Sequence, residues 1–67
     1  MPYVGDPVTV VFLAIRIEGV VTDVDYDARR VLVATEDGQA LAFGLSRATG
    51  TFLADGRQSG ARLLFAD

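Results

Sequence analysis

The chain contains no cysteine and no histidine. The first absence excludes disulfides and thiolate metal sites. The second removes the commonest general base and metal ligand at neutral pH. Lysine and asparagine are missing as well, and all six cations are arginine. With abundant Ala, Gly, Val and Arg, that pair of absences is read most simply as the mark of a GC-rich genome. Nucleophilic or acid–base chemistry would have to rest on Asp, Glu, Ser, Thr or Tyr. The one serine in a suggestive setting, Ser46 in Gly44-Leu45-Ser46-Arg47-Ala48, lacks the Gly-x-Ser-x-Gly elbow and any histidine to activate it. The expectation is a chain that is not an enzyme and uses no cofactor.

Long hydrophobic runs are also missing. The longest uncharged apolar stretch, Val10 to Ile15, falls far short of the ~20 residues of a spanning helix. Asp6 and Pro7 interrupt the start, no basic residue precedes the apolar run, and Arg16 and Glu18 follow it, so a signal peptide is not expected. The expected location is cytoplasmic, with no membrane partner. Net charge is −3, unevenly placed: residues 1–38 carry −4 and residues 39–67 carry +1. A net acidic chain is a poor general binder of nucleic acid, because phosphate neutralisation dominates that affinity.

What the chain does have is apolar surface in excess of its size. Sixty-seven residues allow one domain, 51% of them are hydrophobic, and the mean hydropathy is +0.35. Chains this short bury only ~60% of the surface they expose when unfolded. The segment Val8 to Ile17 reads VTVVFLAIRI. Taken as one strand, it points Val10, Phe12 and Ala14 one way and Val11, Leu13, Ile15 and Ile17 the other. A strand apolar on both faces needs cover on both. The expected cover is a second copy of the chain, with Val11, Leu13, Ile15 and Ile17 as the subunit interface.

The remainder reads as short strands. Met1 to Pro7 is an extended lead-in, and Gly19 marks a bend or bulge after the first strand. Val20 to Tyr26 places Val20, Thr22, Val24 and Tyr26 on one face and Val21, Asp23, Asp25 and Asp27 on the other. Asp27 to Arg30 makes a turn and Val31 to Thr35 a strand. Glu36-Asp37-Gly38-Gln39 is the clearest hairpin signal, with Asp-Gly supplying positive φ angles. Ala40 to Leu45 alternates bulky Leu41, Phe43 and Leu45 with a bare Ala40, Ala42 and Gly44 face. A loop, a brief strand from Thr51 to Ala54, a polar turn and a last strand from Arg62 to Ala66 complete the chain. The β-branched content of Val8 to Ile17 disfavours helix. Strands at ~8–12-residue spacing predict an all-β domain, a small SH3-like or Sm-like barrel of about five strands. The expected core is Val10, Phe12, Val20, Val24, Val31, Val33, Leu41, Phe43, Leu45, Leu63 and Phe65.

Two constellations bear on ligands. Asp23, Asp25 and Asp27 form an Asp-x-Asp-x-Asp run, but Ala28 and Ala34 occupy the glycine and glutamate positions of a calcium loop, so a solvated strand face is expected and no metal. Arg47, Arg57 and Arg62 lie in the late loops and last strand, with Phe52 as an aromatic platform. Together they make an alternative reading, recognition of RNA or a phosphorylated ligand. The order of Pro7 to Thr35, with Glu18-Gly19-Val20-Val21 and Val24-Asp25 between strands, is similar to the first half of an Sm-like barrel. Arg29-Arg30 stands in the turn where that family's nucleotide pocket carries asparagine. Leu45-Ser46-Arg47-Ala48-Thr49-Gly50 through Gly60-Ala61-Arg62-Leu63-Leu64-Phe65 distantly resembles a PilZ domain. Gly44 replaces that family's acidic residue and the Ser-to-Gly spacing is one longer, which removes the signature of cyclic-dinucleotide binding. The functional expectation is a non-catalytic, homo-oligomeric binding or scaffolding module whose partner is itself and possibly another protein.

Overall fold

The computed structural model describes residues 2–54 and 60–65. Six strands run in order: β1 (Pro7–Phe12), β2 (Ile15–Asp25), β3 (Arg30–Thr35), β4 (Ala40–Leu45), β5 (Phe52–Ala54) and β6 (Arg62–Phe65). Each pairs antiparallel with the next, and β6 returns to pair with β1, so the sheet closes into a barrel. The all-β barrel is the expected architecture; its strands number six, and the boundary between the first two falls elsewhere than expected. Among the described residues there is no helix long and apolar enough to cross a membrane.

The difference lies in the VTVVFLAIRI run. It is two strands joined by a two-residue turn at Leu13-Ala14, closed by the pair Phe12↔Ile15. The reversal places Val10 opposite Ile17, so residues expected on opposite faces share one. Beyond the turn, β2 runs without a break through Gly19. That glycine approaches β3 closely: a Cβ there would lie 2.8 Å from the Ala34 carbonyl oxygen and 3.0 Å from Val33 Cγ1. Only a residue without a side chain lets the two strands meet at this bend.

A bulge then changes the parity of β2. Val21 pairs with Val33 and Asp23 with Leu32, which leaves Thr22 as the additional residue. Val21 and Val24 therefore both face inward, whereas strict alternation from Val24 selects Val20. Val20 is 44% exposed and Val21 1%. Inward residues from every strand form one cluster: Val8, Val10, Val21, Val31, Val33, Phe43, Phe52 and Leu63, with Ile17, Val24, Leu41 and Leu45 packed against it. Phe43 is fully buried at its centre. Of the expected core, Phe12 and Phe65 join Val20 on the surface, because both stand at barrel rims where no facing strand continues.

The connections differ in kind. The β3–β4 turn is a three-residue loop in which Gly38 alone takes positive φ (+91°), the arrangement of a type I turn followed by a left-handed residue. Buried Thr35 organises it: its hydroxyl accepts from the Gln39 N–H at 3.0 Å and donates to the Asp37 carboxylate, while Gly38 N–H donates to the Thr35 carbonyl. The lead-in is tied down as well, with Gly5 N–H donating to the Val21 carbonyl and Val21 N–H to that of Asp6.

Candidate functional site

The four residues of the expected subunit interface separate. Leu13 and Ile15 project from the β1–β2 turn and are 83% and 58% exposed. Val11 does not belong to an exposed face: it is 3% exposed. Its row runs Arg16, Val11, Arg62, Leu53 across four strands, and long arginine stems cover apolar neighbours while their guanidinium groups stay in water. Ile17 is half-buried and packs on the core, because the turn brings it round to face Val10. Phe12, on the inward series of β1, emerges at the rim beside Ile15 and is 45% exposed. The apolar surface at this end is thus Phe12, Leu13, Ala14 and Ile15, all in one hairpin tip.

Leu13 is unusual in its backbone too. Its φ is +56° and Ala14 has no positive φ. That φ pattern belongs to a two-residue type II′ turn, whose first central position ordinarily takes glycine. A left-handed conformation costs a residue with a Cβ roughly 1–2 kcal/mol. The sequence carries no turn signature at this point, and this is the surface feature that reading by strand periodicity misses.

A second feature lies towards the other end of β1. The ladder between β5 and β6 is a single pair, Leu53↔Arg62, extended by Ala54 N–H donating to the Ala61 carbonyl. Leu63, Leu64 and Phe65 pair with Val10, Thr9 and Val8 of β1, but have no strand partner on their β5 side among the described residues. A cleft of about 580 Å³ opens along this seam, bounded by Gly50, Thr51, Phe52, Leu63, Leu64 and Phe65, with Pro2 and Asp6 at its edge. Phe52 and Phe65 meet edge to face there, centroids 5.8 Å apart and planes at 74°. Asp6 is the one charged residue of the lining among the described residues, and its carboxylate accepts from the Tyr3 N–H at 2.8 Å.

Of the expected arginine constellation, Arg47 and Arg62 lie among the described residues. Arg47 is exposed in the β4–β5 connection and Arg62 is exposed at the head of β6, with β5 between them. Arg57 lies outside the described residues. Phe52 is 7% exposed and belongs to the core cluster, so it is no open platform for a stacked base; its edge is taken by Phe65. The acidic run is spread along a strand end. Asp25 pairs directly with Arg30 across β2 and β3, and Asp23 and Asp25 accept backbone N–H groups from Val24 and Ala28. Among the described residues no three acidic side chains are grouped so as to hold a metal ion.

No family model, curated protein or solved structure matches this chain.

Proposed function

We propose that the protein is a non-catalytic, homo-oligomeric interaction module on a small SH3-like or Sm-like barrel, and that its contacts with further copies begin at the Phe12–Ile15 tip. One observation carries the reading: a leucine, 83% exposed, is held in a left-handed backbone conformation at the point of a hairpin. A turn serving only to reverse the chain has no use for that residue, since glycine removes both the strain and the exposed apolar area. Strain retained at an exposed position is most economically explained by a contact that the side chain makes. Size argues the same way. The chain exposes 4510 Å² with several large apolar side chains on it. A stable interface takes ~800 Å² from each partner, and domains this small gain much of their stability from assembly.

Native mass measured across a range of concentrations tests the reading. Multiples of 7.1 kDa that persist at micromolar concentration are expected. A monomer at every concentration overturns it.

A further inference from the structure

We infer that copies of this chain join head to tail, the Phe12–Ile15 tip of one seating in the β5–β6 cleft of the next. The inference rests on the homo-oligomeric reading and adds its geometry. Tip and cleft lie towards opposite ends of the barrel. The cleft residues Leu64 and Phe65 pair with Thr9 and Val8 at the start of β1, and the tip follows Phe12 at its finish. Four residues of extended strand span ~13 Å in a body measuring 27 × 25 × 22 Å. A barrel therefore cannot fill its own cleft with its own tip, but a second copy can.

The two surfaces match in chemistry. The tip offers Phe12, Leu13 and Ile15, and the cleft exposes Leu64 and Phe65 over the buried Phe52 and Leu63. Its volume of about 580 Å³ is within the range of sites that enclose apolar ligands, ~300–1,000 Å³. Charge agrees as well. Arg16, exposed one residue past Ile15, accompanies the tip, and Asp6 sits at the cleft edge. Among the described residues, the cleft also leaves the Leu63–Phe65 edge of β6 without a β5 register partner, the kind of edge on which an incoming extended segment adds a strand. A contact between two different patches is heterologous. Repeated, it closes into a ring or grows into a filament, whereas a tip-to-tip contact stops at a two-fold dimer.

The test is complementation between two variants. Leu13→Asp spoils the tip and leaves the cleft intact; aspartate tolerates left-handed φ, so the fold is kept. Leu64→Asp spoils the cleft and leaves the tip intact, and Thr51→Arg, in the loop bordering the cleft, replaces it if circular dichroism finds Leu64→Asp unfolded. Each variant alone is expected to be monomeric by native mass spectrometry. An equimolar mixture is expected to give a heterodimer of twice the 7.1-kDa chain mass, because one intact tip meets one intact cleft. A folded cleft variant that still assembles as wild type does, or a mixture that stays monomeric, overturns the head-to-tail contact while the oligomer stands. A monomeric wild type removes the homo-oligomeric reading itself.

Discussion

Two of the hairpin turns of this barrel solve the same problem in opposite ways. In the β3–β4 turn the chain reverses with glycine at the one left-handed position, and a buried threonine ties the turn by accepting from the Gln39 and Gly38 N–H groups and donating to Asp37. Its exposed residues, Glu36, Asp37, Gly38 and Gln39, carry charge or nothing apolar. In the β1–β2 turn a leucine occupies the left-handed position and the flanking side chains are Phe12 and Ile15. The first arrangement is what local stability alone selects. The second gives up turn stability and keeps apolar surface. The difference marks the Phe12–Ile15 tip as an exposed apolar end of the barrel, the surface on which the proposed self-association rests.

Substitutions can break or sharpen this contrast. The largest effect is expected at Gly19, where β2 leaves the first hairpin and passes the second: Glu36 N–H donates to the Glu18 carbonyl beside it. Gly19→Ala drives a methyl group against the Ala34 carbonyl oxygen, and it should cost about 2–3 kcal/mol, as overpacking of a closed site does, read by urea denaturation. Thr35→Val comes next. It keeps the shape but strands the Gln39 N–H, and a loss of ~1–2 kcal/mol is expected; an unchanged midpoint would deny Thr35 its organising part.

Gly38→Ala tests the polar turn at the backbone alone. Nothing lies within 4 Å of the added methyl, and φ is +91°, so the loss is the conformational one, about 1 kcal/mol. The smallest change, and the one of opposite sign, is Leu13→Gly. Relief of a left-handed leucine outweighs or balances the added flexibility of glycine, so the isolated fold should hold its stability or gain up to ~1 kcal/mol. Native mass should fall at the same time. A variant that folds as well but assembles less separates the two hairpins by what each is for. A loss of fold stability on Leu13→Gly would make them alike.

Much of this contrast could be read from sequence on one side only. Asp37-Gly38 and the alternation of Leu41, Phe43 and Leu45 with Ala40, Ala42 and Gly44 announce β3, β4 and their turn, because side-chain size and turn chemistry agree there. At Leu13-Ala14 they disagree. Ten residues without a turn former read as one long strand, and the face of every residue beyond the turn is then assigned from the wrong geometry. Thr22 has a similar effect at smaller scale, since a bulge has no residue type of its own and one extra residue exchanges Val20 for Val21 in the core. The cleft was less legible still. It arises because β6 finds β1 more fully than it finds β5, which is a property of the closed sheet and not of any short segment. Arg47 and Arg62 were grouped by chain position alone, and β5 lies between them along the chain.

The short β5–β6 ladder has a consequence for how the barrel comes apart. A closed sheet has no edge from which to fray, but one joint held by a single residue pair gives it a place to start. Opening there parts β5 from β6 without disturbing the long β2–β3 ladder, so it lies at the low end of the free energies of local opening. In hydrogen exchange, the Ala54 amide, which donates to the Ala61 carbonyl across this joint, should lose protection well before those of Val21 and Val33. The cylinder behaves as a sheet with a latch, and under the proposed head-to-tail contact a seated tip would hold the latch shut.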